Sequence, residues 1–358
     1  MDTMMKAAVV RAFGQPLVIE DRPRPKPGRG QVLVKIAACG VCHTDLHAAQ
    51  GDWPLKPALP FTPGHEGIGI VVALGAGVSA QPGAVREGDR VGVPWLYSAC
   101  GHCEFCLAAQ EPVCAEAQFG GYTKNGGFAE YIVADPNYVA HIPAGLAARD
   151  AAPLICAGIT SYKGLKETQA RPGQWVVISG IGGLGHLGVQ YAKAMGLLVC
   201  AVDIDDGKLA HATQLGADAT LNYSTQDVRE TLKALTGGKG PDVVYDPVGG
   251  DLAEPVFRSI AWRGRYLVVG FAGGGIPSLP LNLSLLKGAA IVGVFWGDFV
   301  RREPAASAAG RARFHRPNAL RNRRRSPWWS HTPETRVQSA APAPAPRAWP
   351  RLPVDHRR

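Results

Sequence analysis

The 358-residue sequence has no apolar run as long as the roughly 18 residues that a membrane-spanning helix requires. Its first ten residues have no extended apolar core of the kind that marks a secretory signal peptide. Cysteine is absent before residue 39 and after residue 200. These absences argue against a membrane protein and against a secreted, disulfide-linked domain. They predict a cytoplasmic protein whose thiols stay reduced.

Lysine and acidic residues are scarce at the C-terminal end. From residue 310 on there are twelve arginines, no lysine and two acids, Glu334 and Asp355, so the net charge of +9 comes from this end. The segment has alanine–proline repeats at 340–346 and no helical or strand period, and we expect residues 300–358 to form a disordered tail. Basic tails bind phosphates, which leaves a nucleic-acid-binding or scaffold protein as an alternative of another class. Nucleic acid is not the partner that we expect.

The pattern of short elements changes near residue 151. Before it, β-rich runs such as 32–36 and 68–72 are separated by frequent glycine and proline. After it, strand and helix patterns alternate: strands at 175–179, 199–203, 242–245 and 266–269, and helices at 185–195 and 208–215. This alternation predicts an α/β fold, in which an irregular β-rich domain precedes a doubly wound parallel sheet.

Four cysteines lie within fifteen residues, at Cys100, Cys103, Cys106 and Cys114. Such short spacings allow four thiolates to converge on one ion, which is the pattern of a closed, structural zinc site. The metal would stabilise a lobe that has little apolar core of its own. Disulfide pairing and an iron–sulfur cluster are alternatives, although the spacing differs from that of the common bacterial cluster motif.

A second set of metal donors is spread along the chain. Cys42, His65 and Cys156 supply two thiolates and one imidazole, a set that leaves a fourth zinc position open for water or substrate. Thr44 and His47 are suitable groups for passing a proton to solvent. Taken singly, Cys156 could be a small apolar core residue and His65-Glu66 a surface pair. Spacing alone does not show that the three donors meet.

A glycine-rich turn follows the predicted strand at 175–179 and opens a helix. Its pattern is Gly180-x-Gly182-x-x-Gly185, with Gly183 and Leu184 between the last two glycines. In this context the pattern indicates a dinucleotide site, where the pyrophosphate lies at the helix N-terminus. Asp203 ends the next strand, where a carboxylate binds the ribose hydroxyls and repels a 2′-phosphate, so NAD is favoured over NADP.

Three stretches carry a family resemblance: 40–47 (GVCHTDLH), 63–67 (PGHEG) and 156–160 (CAGIT). They resemble the signatures of bacterial zinc-dependent alcohol dehydrogenases, in the medium-chain dehydrogenase/reductase superfamily. The resemblance covers residues 4 to 300. It implies a GroES-like catalytic domain at 1–152 with a structural-zinc lobe at about 95–116, and a Rossmann NAD-binding domain at 153–299. A basic tail follows at 300–358, of which residues from about 310 on match no family pattern.

The resemblance also implies roles for individual residues. Zinc would be bound by Cys42, His65 and Cys156, and Asp45 and Glu66 would orient and tune that site. Thr44 and His47 would form the proton relay with the cofactor ribose. Contacts with the cofactor are implied for His43, Lys208 and Val269, and a narrow substrate pocket for Trp53 and Trp95.

Two departures from the family stand out. Residues 228–299 are closer to the quinone oxidoreductases, as at 240–250 (GPDVVYDPVGG). The segment that closes the catalytic domain in relatives is replaced by the arginine-rich tail, and our hypothesis is that the tail is read from a shifted frame. Enzyme activity would be in doubt if the tail replaces those closing strands.

We therefore expect a zinc-containing, NAD-dependent alcohol dehydrogenase with two Zn²⁺ per chain. It would oxidise a primary or secondary alcohol to an aldehyde or ketone, reversibly, as a homodimer or homotetramer. The alternative within the enzymes is an NAD(P)H-dependent quinone or enone oxidoreductase, which needs no metal.

Overall fold

The computed structural model describes residues 3–78, 84–108, 111 and 114–294. The predictions that concern the tail, its disorder and its origin therefore lie outside the described residues. Within the described part of the chain, no helix has the length and hydropathy needed to cross a membrane.

The first half of the described chain is built on an antiparallel sheet. Its strands follow the order β8-β3-β4-β5-β9, and β3 pairs with β4 along most of its length. Buried valines such as Val34, Val71 and Val91 fill the core beneath it. The strands of this half are β1 (Met4–Val9), β2 (Val18–Pro23), β3 (Val32–Cys39), β4 (Gly67–Leu74), β5 (Arg90–Val93), β6 (Leu96–Ser98), β7 (Gln118–Phe119), β8 (Tyr131–Ala134) and β9 (Ala140–His141).

Short helices and paired strands surround this sheet. The helices are α1 (His43–Gln50), α2 (Glu104–Leu107) and α3 (Ala148–Ala151). Strands β1 and β2 pair with each other, and so do β6 and β7. The β6–β7 pair closes the loop 99–117, which carries the four clustered cysteines. A separate cluster of Val10, Ala48 and Phe61 packs α1 onto the domain.

The second half is a parallel sheet of six described strands in the order β12-β11-β10-β13-β14-β15. The strand order reverses between β10 and β13, the point at which open α/β sheets bind ligands. Its strands are β10 (Trp175–Ser179), β11 (Leu198–Asp203), β12 (Ala219–Asn222), β13 (Val243–Asp246), β14 (Arg265–Val268) and β15 (Ala290–Gly293). Its helices are α4 (Ala157–Glu167), α5 (Gly185–Ala194), α6 (Asp206–Gln214), α7 (Val228–Leu235), α8 (Ala253–Ser259) and α9 (Asn282–Lys287).

Both faces of the parallel sheet are apolar, because helices cover each of them. Val176 and Ile178 pack with Val189 on one side. Val177 and Cys200 pack with the second layer of helices on the other. This explains the continuous apolar strands of this half. It also explains Cys200, a buried core residue outside both proposed metal sites.

The two halves meet at a small apolar cluster. Ile68 of β4 packs with Leu146, Ala151 and Ile155, which belong to α3, its preceding loop and a 3₁₀ turn at Ala152–Ile155. Cys156 follows that turn directly and precedes α4. The junction thus brings the start of the second half next to β4.

The predicted α/β fold with a doubly wound sheet is confirmed, and the predicted helices and strands of the second half lie within two residues of those observed. In the first half, β3 continues three residues beyond the predicted run 32–36. Strand β2 and helices α1 and α4 were not predicted from the sequence. The boundary between residues 152 and 153 stays a prediction.

Candidate active site

The donors of Cys42, His65 and Cys156 converge where the two halves meet. Together with a Glu66 carboxylate oxygen, their ligand atoms all lie within 4.8 Å of one another. His65 Nε2 lies 3.3 Å from the Cys156 sulfur. These residues are separated by up to 114 positions in sequence, and folding brings them together.

Both thiols of this cluster stand at helix N-termini. Cys42 is the N-cap residue of α1, and Cys156 is the N-cap residue of α4. The N-terminal end of a helix carries partial positive charge and favours a thiolate, the form of cysteine that binds metals. The local fold therefore prepares both sulfurs for a cation.

Asp45 fixes the orientation of this cluster. Its buried carboxylate accepts hydrogen bonds from the Cys42 N–H at 3.0 Å, the Gly64 N–H at 3.0 Å and His65 Nδ1 at 2.8 Å. Because a carboxylate only accepts, Nδ1 of His65 carries a proton, and Nε2 is the nitrogen that faces the Cys156 sulfur and that a cation could bind once its own proton is displaced. The Nδ1–H tautomer is the one that a metal ligand requires.

The chain reaches His65 through a tight glycine turn. Gly64 has a φ of +102°, and a Cβ there would lie 2.6 Å from Phe128 Cδ1 and 2.7 Å from the Phe128 nitrogen. Only glycine combines this backbone with so close an approach. The turn directs His65 inward immediately before β4.

Protons are shared unevenly among the three donors. A hydrogen bond from Cys156, with further contacts from His65, lowers the pKa of Cys42 to about 3 despite burial. Burial opposes the charged form of His65, but hydrogen bonds with Asp45 and Cys42 raise its pKa to about 10. The Cys42 thiolate and burial both raise the pKa of Cys156. A divalent cation would take the place of these protons, as metal binding to cysteine sites generally does.

Glu66 adds a buried carboxylate beside the donors. Burial raises its pKa to about 8, and its Oε2 has no hydrogen-bond partner among the described residues. An unpartnered buried carboxylate oxygen is costly unless a positive charge lies nearby. The orphaned oxygen and the sulfur–imidazole donor set both fit a zinc ion.

The four-cysteine loop forms a second donor cluster. The sulfurs of Cys100, Cys103, Cys106 and Cys114 all lie within 4.8 Å of one another. The sulfurs of Cys100 and Cys106 are 3.7 Å apart. Two sulfurs of a tetrahedral zinc site with Zn–S bonds of about 2.3 Å are about 3.8 Å apart, so the observed distance is close to that of a zinc site. Backbone N–H groups of His102 and Cys103 lower the pKa of Cys100 to about 6.

The glycine-rich turn connects β10 to α5 at the reversal of strand order. Gly180 has a φ of +76°, and a Cβ on Gly185 would lie 1.8 Å from the Gly180 carbonyl oxygen. No atom of the described residues lies within 4 Å of where a Cβ on Gly182 or Gly183 would stand. Leu184 is the N-cap residue of α5. Gly180 and Gly185 are therefore required by the backbone geometry and packing of the turn. Gly182 and Gly183, between them, leave open space at the helix N-terminus, which fits a pyrophosphate.

Asp203 lies at the carboxyl end of β11, beside this turn. It is buried and accepts hydrogen bonds from the N–H groups of Ile181, Ile204 and Asp205 at 2.7, 2.8 and 3.1 Å. Lys208 Nζ lies 3.7 Å from Asp203 Oδ1. The aspartate thus shapes the turn, and its Oδ2 retains capacity for a further donor such as a ribose hydroxyl.

Val269 follows β14, and its N–H donates to the Asp246 carbonyl at 2.9 Å. Sequence reasoning missed Asp246, whose buried Oδ1 accepts from the N–H groups of Val248 and Gly249 at 2.9 Å each. Its Oδ2 accepts from the Tyr266 hydroxyl. Asp246 holds the turn after β13, at the same edge of the sheet as the glycine-rich turn.

The other predicted polar residues lie along α1. His43 and Thr44 begin the helix, and the His43 and His47 rings are 5.4 Å apart. His47 Nδ1 lies 2.7 Å from Oδ2 of Asp52, a residue that sequence reasoning missed. The glycine that ends α1, Gly51, was the available signal, since it turns the chain back on the helix.

Aromatic rings cover the side of the cluster next to His65. The Trp95 ring meets the His65 imidazole edge-on at 5.4 Å, and Trp53 and Trp95 are 6.2 Å apart. Tyr122, which sequence reasoning missed, lies 5.3 Å from Trp53 and 5.6 Å from Trp95. Phe119 stacks on Trp95 at 5.3 Å. These rings form one wall that can exclude water and select small apolar groups.

A thiolate–imidazole cluster at the junction of a β-rich domain and a dinucleotide-type sheet defines a metal-containing, nucleotide-dependent oxidoreductase. Two family models match the chain: the alcohol dehydrogenase GroES-like domain at residues 28–144 and the zinc-binding dehydrogenase at residues 183–309. The predicted GroES-like and Rossmann domains are thereby confirmed.

Similar proteins agree with these matches. An alcohol dehydrogenase of Geobacillus stearothermophilus is 50% identical over 293 residues, which are 82% of this chain and 85% of the relative. One of Rhizobium meliloti is 50% identical over 306 residues, 86% of this chain and 88% of the relative. The crystal structure of the alcohol dehydrogenase of Aeropyrum pernix superposes with a TM-score of 0.72 at 34% identity, covering 85% of this chain and 89% of that one. The chain belongs to the zinc-dependent alcohol dehydrogenases of the medium-chain dehydrogenase/reductase superfamily.

Proposed function

We propose that this protein oxidises a primary or secondary alcohol to the aldehyde or ketone with NAD, and catalyses the reverse reaction. The observation that carries the proposal is the convergence of Cys42, His65 and Cys156, two thiolates and one imidazole, within 4.8 Å. Three such donors leave a zinc coordination position for substrate.

Cys42, His65 and Cys156 would hold the catalytic zinc, and the four clustered cysteines a structural one. When bound, the catalytic zinc lowers the pKa of the substrate hydroxyl and NAD accepts the hydride. Asp45 would keep His65 in its ligating tautomer. The negative charge of Glu66 would tune the site from behind the donors.

Thr44 and His47 would carry the proton released by the alcohol. Thr44 lies two residues after Cys42 in the first turn of α1, and His47 lies three residues further on, with 28% of its side chain exposed. The order from metal ligand to hydroxyl to exposed imidazole supports a path from the substrate hydroxyl to solvent.

The cofactor would bind across the reversal point of the sheet. Gly182 and Gly183 offer open space at the N-terminus of α5, and the Asp203 carboxylate supports NAD over NADP. Gly180, Leu184 and Gly185 would shape this turn, Lys208 would contact the ribose side, His43 the pyrophosphate, and Val269 the nicotinamide side.

The aromatic wall supports small alcohols as substrates. Trp53 and Trp95, joined by Tyr122, narrow the space beside His65. Bulky rings so close to the donor cluster favour short chains over branched or aromatic alcohols. We extend the proposed substrate pocket to Tyr122 on this ground.

We further propose a cytoplasmic homodimer or homotetramer. Strand β15 is the last described strand of the parallel sheet, and Leu285 of the preceding helix is 82% exposed. Among the described residues no strand pairs with the outer edge of β15, and such an edge beside apolar side chains favours pairing with a second copy. Size-exclusion chromatography with light scattering would give the subunit number.

Metal analysis combined with an NAD-dependent ethanol assay tests the function. The wild type should contain about two zinc per chain. Cys42→Ala should contain about one and lose activity, whereas Cys200→Ala, a core substitution, should keep both metals. Full turnover in Cys42→Ala, or in chelator-treated protein that lacks zinc, would favour the metal-free quinone or enone reductase instead.

A further inference from the structure

His47 is held by one neighbouring carboxylate. Its Nδ1 lies 2.7 Å from Asp52 Oδ2, and the side chains are 28% and 34% exposed. The His43 ring lies 5.4 Å away and the Trp53 ring 6.0 Å away. The imidazole therefore has two ring neighbours and an acceptor at one nitrogen.

The chain brings Asp52 to His47 through the end of α1. Gly51 adopts the left-handed conformation with a φ of +73°, and a Cβ there would lie 2.8 Å from the Phe13 ring. The turn lets the Asp52 N–H donate to the His47 carbonyl at 3.2 Å. Asp52 thus contacts His47 twice, through its backbone and through its carboxylate, and this fixes their relative position.

Helix stability does not account for this carboxylate. A negative charge at the C-terminal end of a helix faces the negative end of the helix dipole and is unfavourable there. An ion pair with a third of its surface exposed contributes little to folding. The contact with Asp52 instead determines which nitrogen of the His47 imidazole carries the proton and how the ring is oriented.

We propose that Asp52 is a positioning residue for His47, holding the proton on Nδ1 and leaving the lone pair of Nε2 free to accept the proton of the alcohol. This inference rests on the proposed function. The O–H bond of the substrate breaks, the proton passes by way of Thr44, an N–H bond forms at Nε2, and the proton then leaves to water. While the imidazolium exists, the Asp52 carboxylate stabilises its charge, as carboxylates that orient catalytic histidines do.

A spectroscopic test reads the histidine directly, with no cofactor or substrate present. In the full chain labelled with ¹⁵N-histidine, long-range ¹H–¹⁵N spectra should show His47 as the Nδ1–H tautomer, assigned by its disappearance in His47→Gln. Asp52→Ala should convert this signal to a mixture of tautomers. An unchanged His47 tautomer in Asp52→Ala would overturn the proposal.

Kinetics tests the consequence for turnover. Asp52→Ala and Asp52→Asn should each lower kcat about tenfold, the scale found when the partner of an active-site group is removed. KM should stay within about twofold because Asp52 contacts no substrate. Asp52→Glu should restore part of kcat, which a loss of folding would not allow.

The chain offers a matched control. Asp89 Oδ2 lies 3.9 Å from His141 Nδ1, and this second exposed histidine–aspartate pair belongs to none of the possible metal-donor groups. Asp89→Asn should leave kcat and the His47 signal unchanged.

Equal kcat in wild type and Asp52→Ala would refute the inference. A wild type without activity on any alcohol would instead refute the proposed function, and the tautomer measurement would still decide the role of Asp52.

Discussion

Gly40 lies directly behind Glu66: a Cβ on Gly40 would be 1.9 Å from Glu66 Oε2 and 2.9 Å from Cδ. The glycine leaves the space that the buried carboxylate occupies beside the metal donors. The backbone of Gly40 has no left-handed φ, so space alone excludes a side chain at this position.

Gly40→Ala should therefore displace Glu66 and weaken the catalytic metal site. We expect activity to fall between about tenfold and 100-fold, the range for groups that support metal ligands. Gly145→Ala, in the same half of the protein, is the control, since a Cβ there would lie more than 4 Å from every described neighbour. Wild-type activity in Gly40→Ala would show that Glu66 can move without consequence.

Removal of one sulfur from the four-cysteine loop should lower the stability of the protein without removing the zinc of the proposed active site. Cys103→Ser should lose one zinc per chain and lower Tm by at least about 5 °C, because Cys114 is the only buried residue among those described at 99–117, and few apolar contacts could replace the metal. The zinc held by Cys42, His65 and Cys156 should remain. Metal analysis and calorimetry measure both effects.

His102 provides the control for this loop. With Cys100 and Glu116 it forms another possible donor group, whose members are more exposed. His102→Ala should keep two zinc per chain and its Tm. Loss of one zinc in His102→Ala would assign the metal to that group instead of the four sulfurs.

Two substitutions in the glycine-rich turn should have different effects, one on the stability of the protein and the other on cofactor binding. Gly185→Ala should destabilise the protein, because its Cβ would overlap the Gly180 carbonyl oxygen. Gly182→Ala should keep the wild-type Tm, since no described residue comes within 4 Å of the added Cβ. It should nevertheless weaken NAD binding at least about tenfold, a loss of about 1.4 kcal/mol. Equal NAD affinity in wild type and Gly182→Ala would place the pyrophosphate elsewhere.

Asp203→Asn should relax the choice of cofactor. Removing the negative charge should raise the ratio of NADP to NAD in kcat/KM by at least about tenfold. Asp218→Asn is the control, because Asp218 pairs with Lys193 at 2.7 Å near the amino end of β11. If the ratio stays at its wild-type value in Asp203→Asn, the adenosine ribose does not lie against this carboxylate.

The metal donors could be predicted from the sequence, but most of the hydrogen bonds that position them could not. Cys42, His65 and Cys156 lie in distinctive motifs, and the structure brings them together. Asp45 belongs to one of those motifs, but its hydrogen bonds to Gly64 and His65 span 19 and 20 residues and depend on tertiary folding.

Some residues and elements that the structure shows near the proposed site or in the fold could not be recognised from the sequence pattern. Tyr122 reaches the aromatic wall from a loop, and Asp52 meets His47 only because Gly51 reverses the chain. Strand β2 was missed because charged residues interrupt its alternation, and its partner β1 rather than its own composition stabilises it. The regular alternation of the second half was readable because both faces of its strands are buried.

All the side chains that we propose as zinc ligands precede Ala157, the first residue of α4. Strands β13 to β15 contribute none of them. A gene that exchanged its later portion with that of a relative, downstream of α4, would inherit an intact set of metal donors. This separation lets the second half of the sheet diverge in evolution while the inherited metal chemistry stays constant.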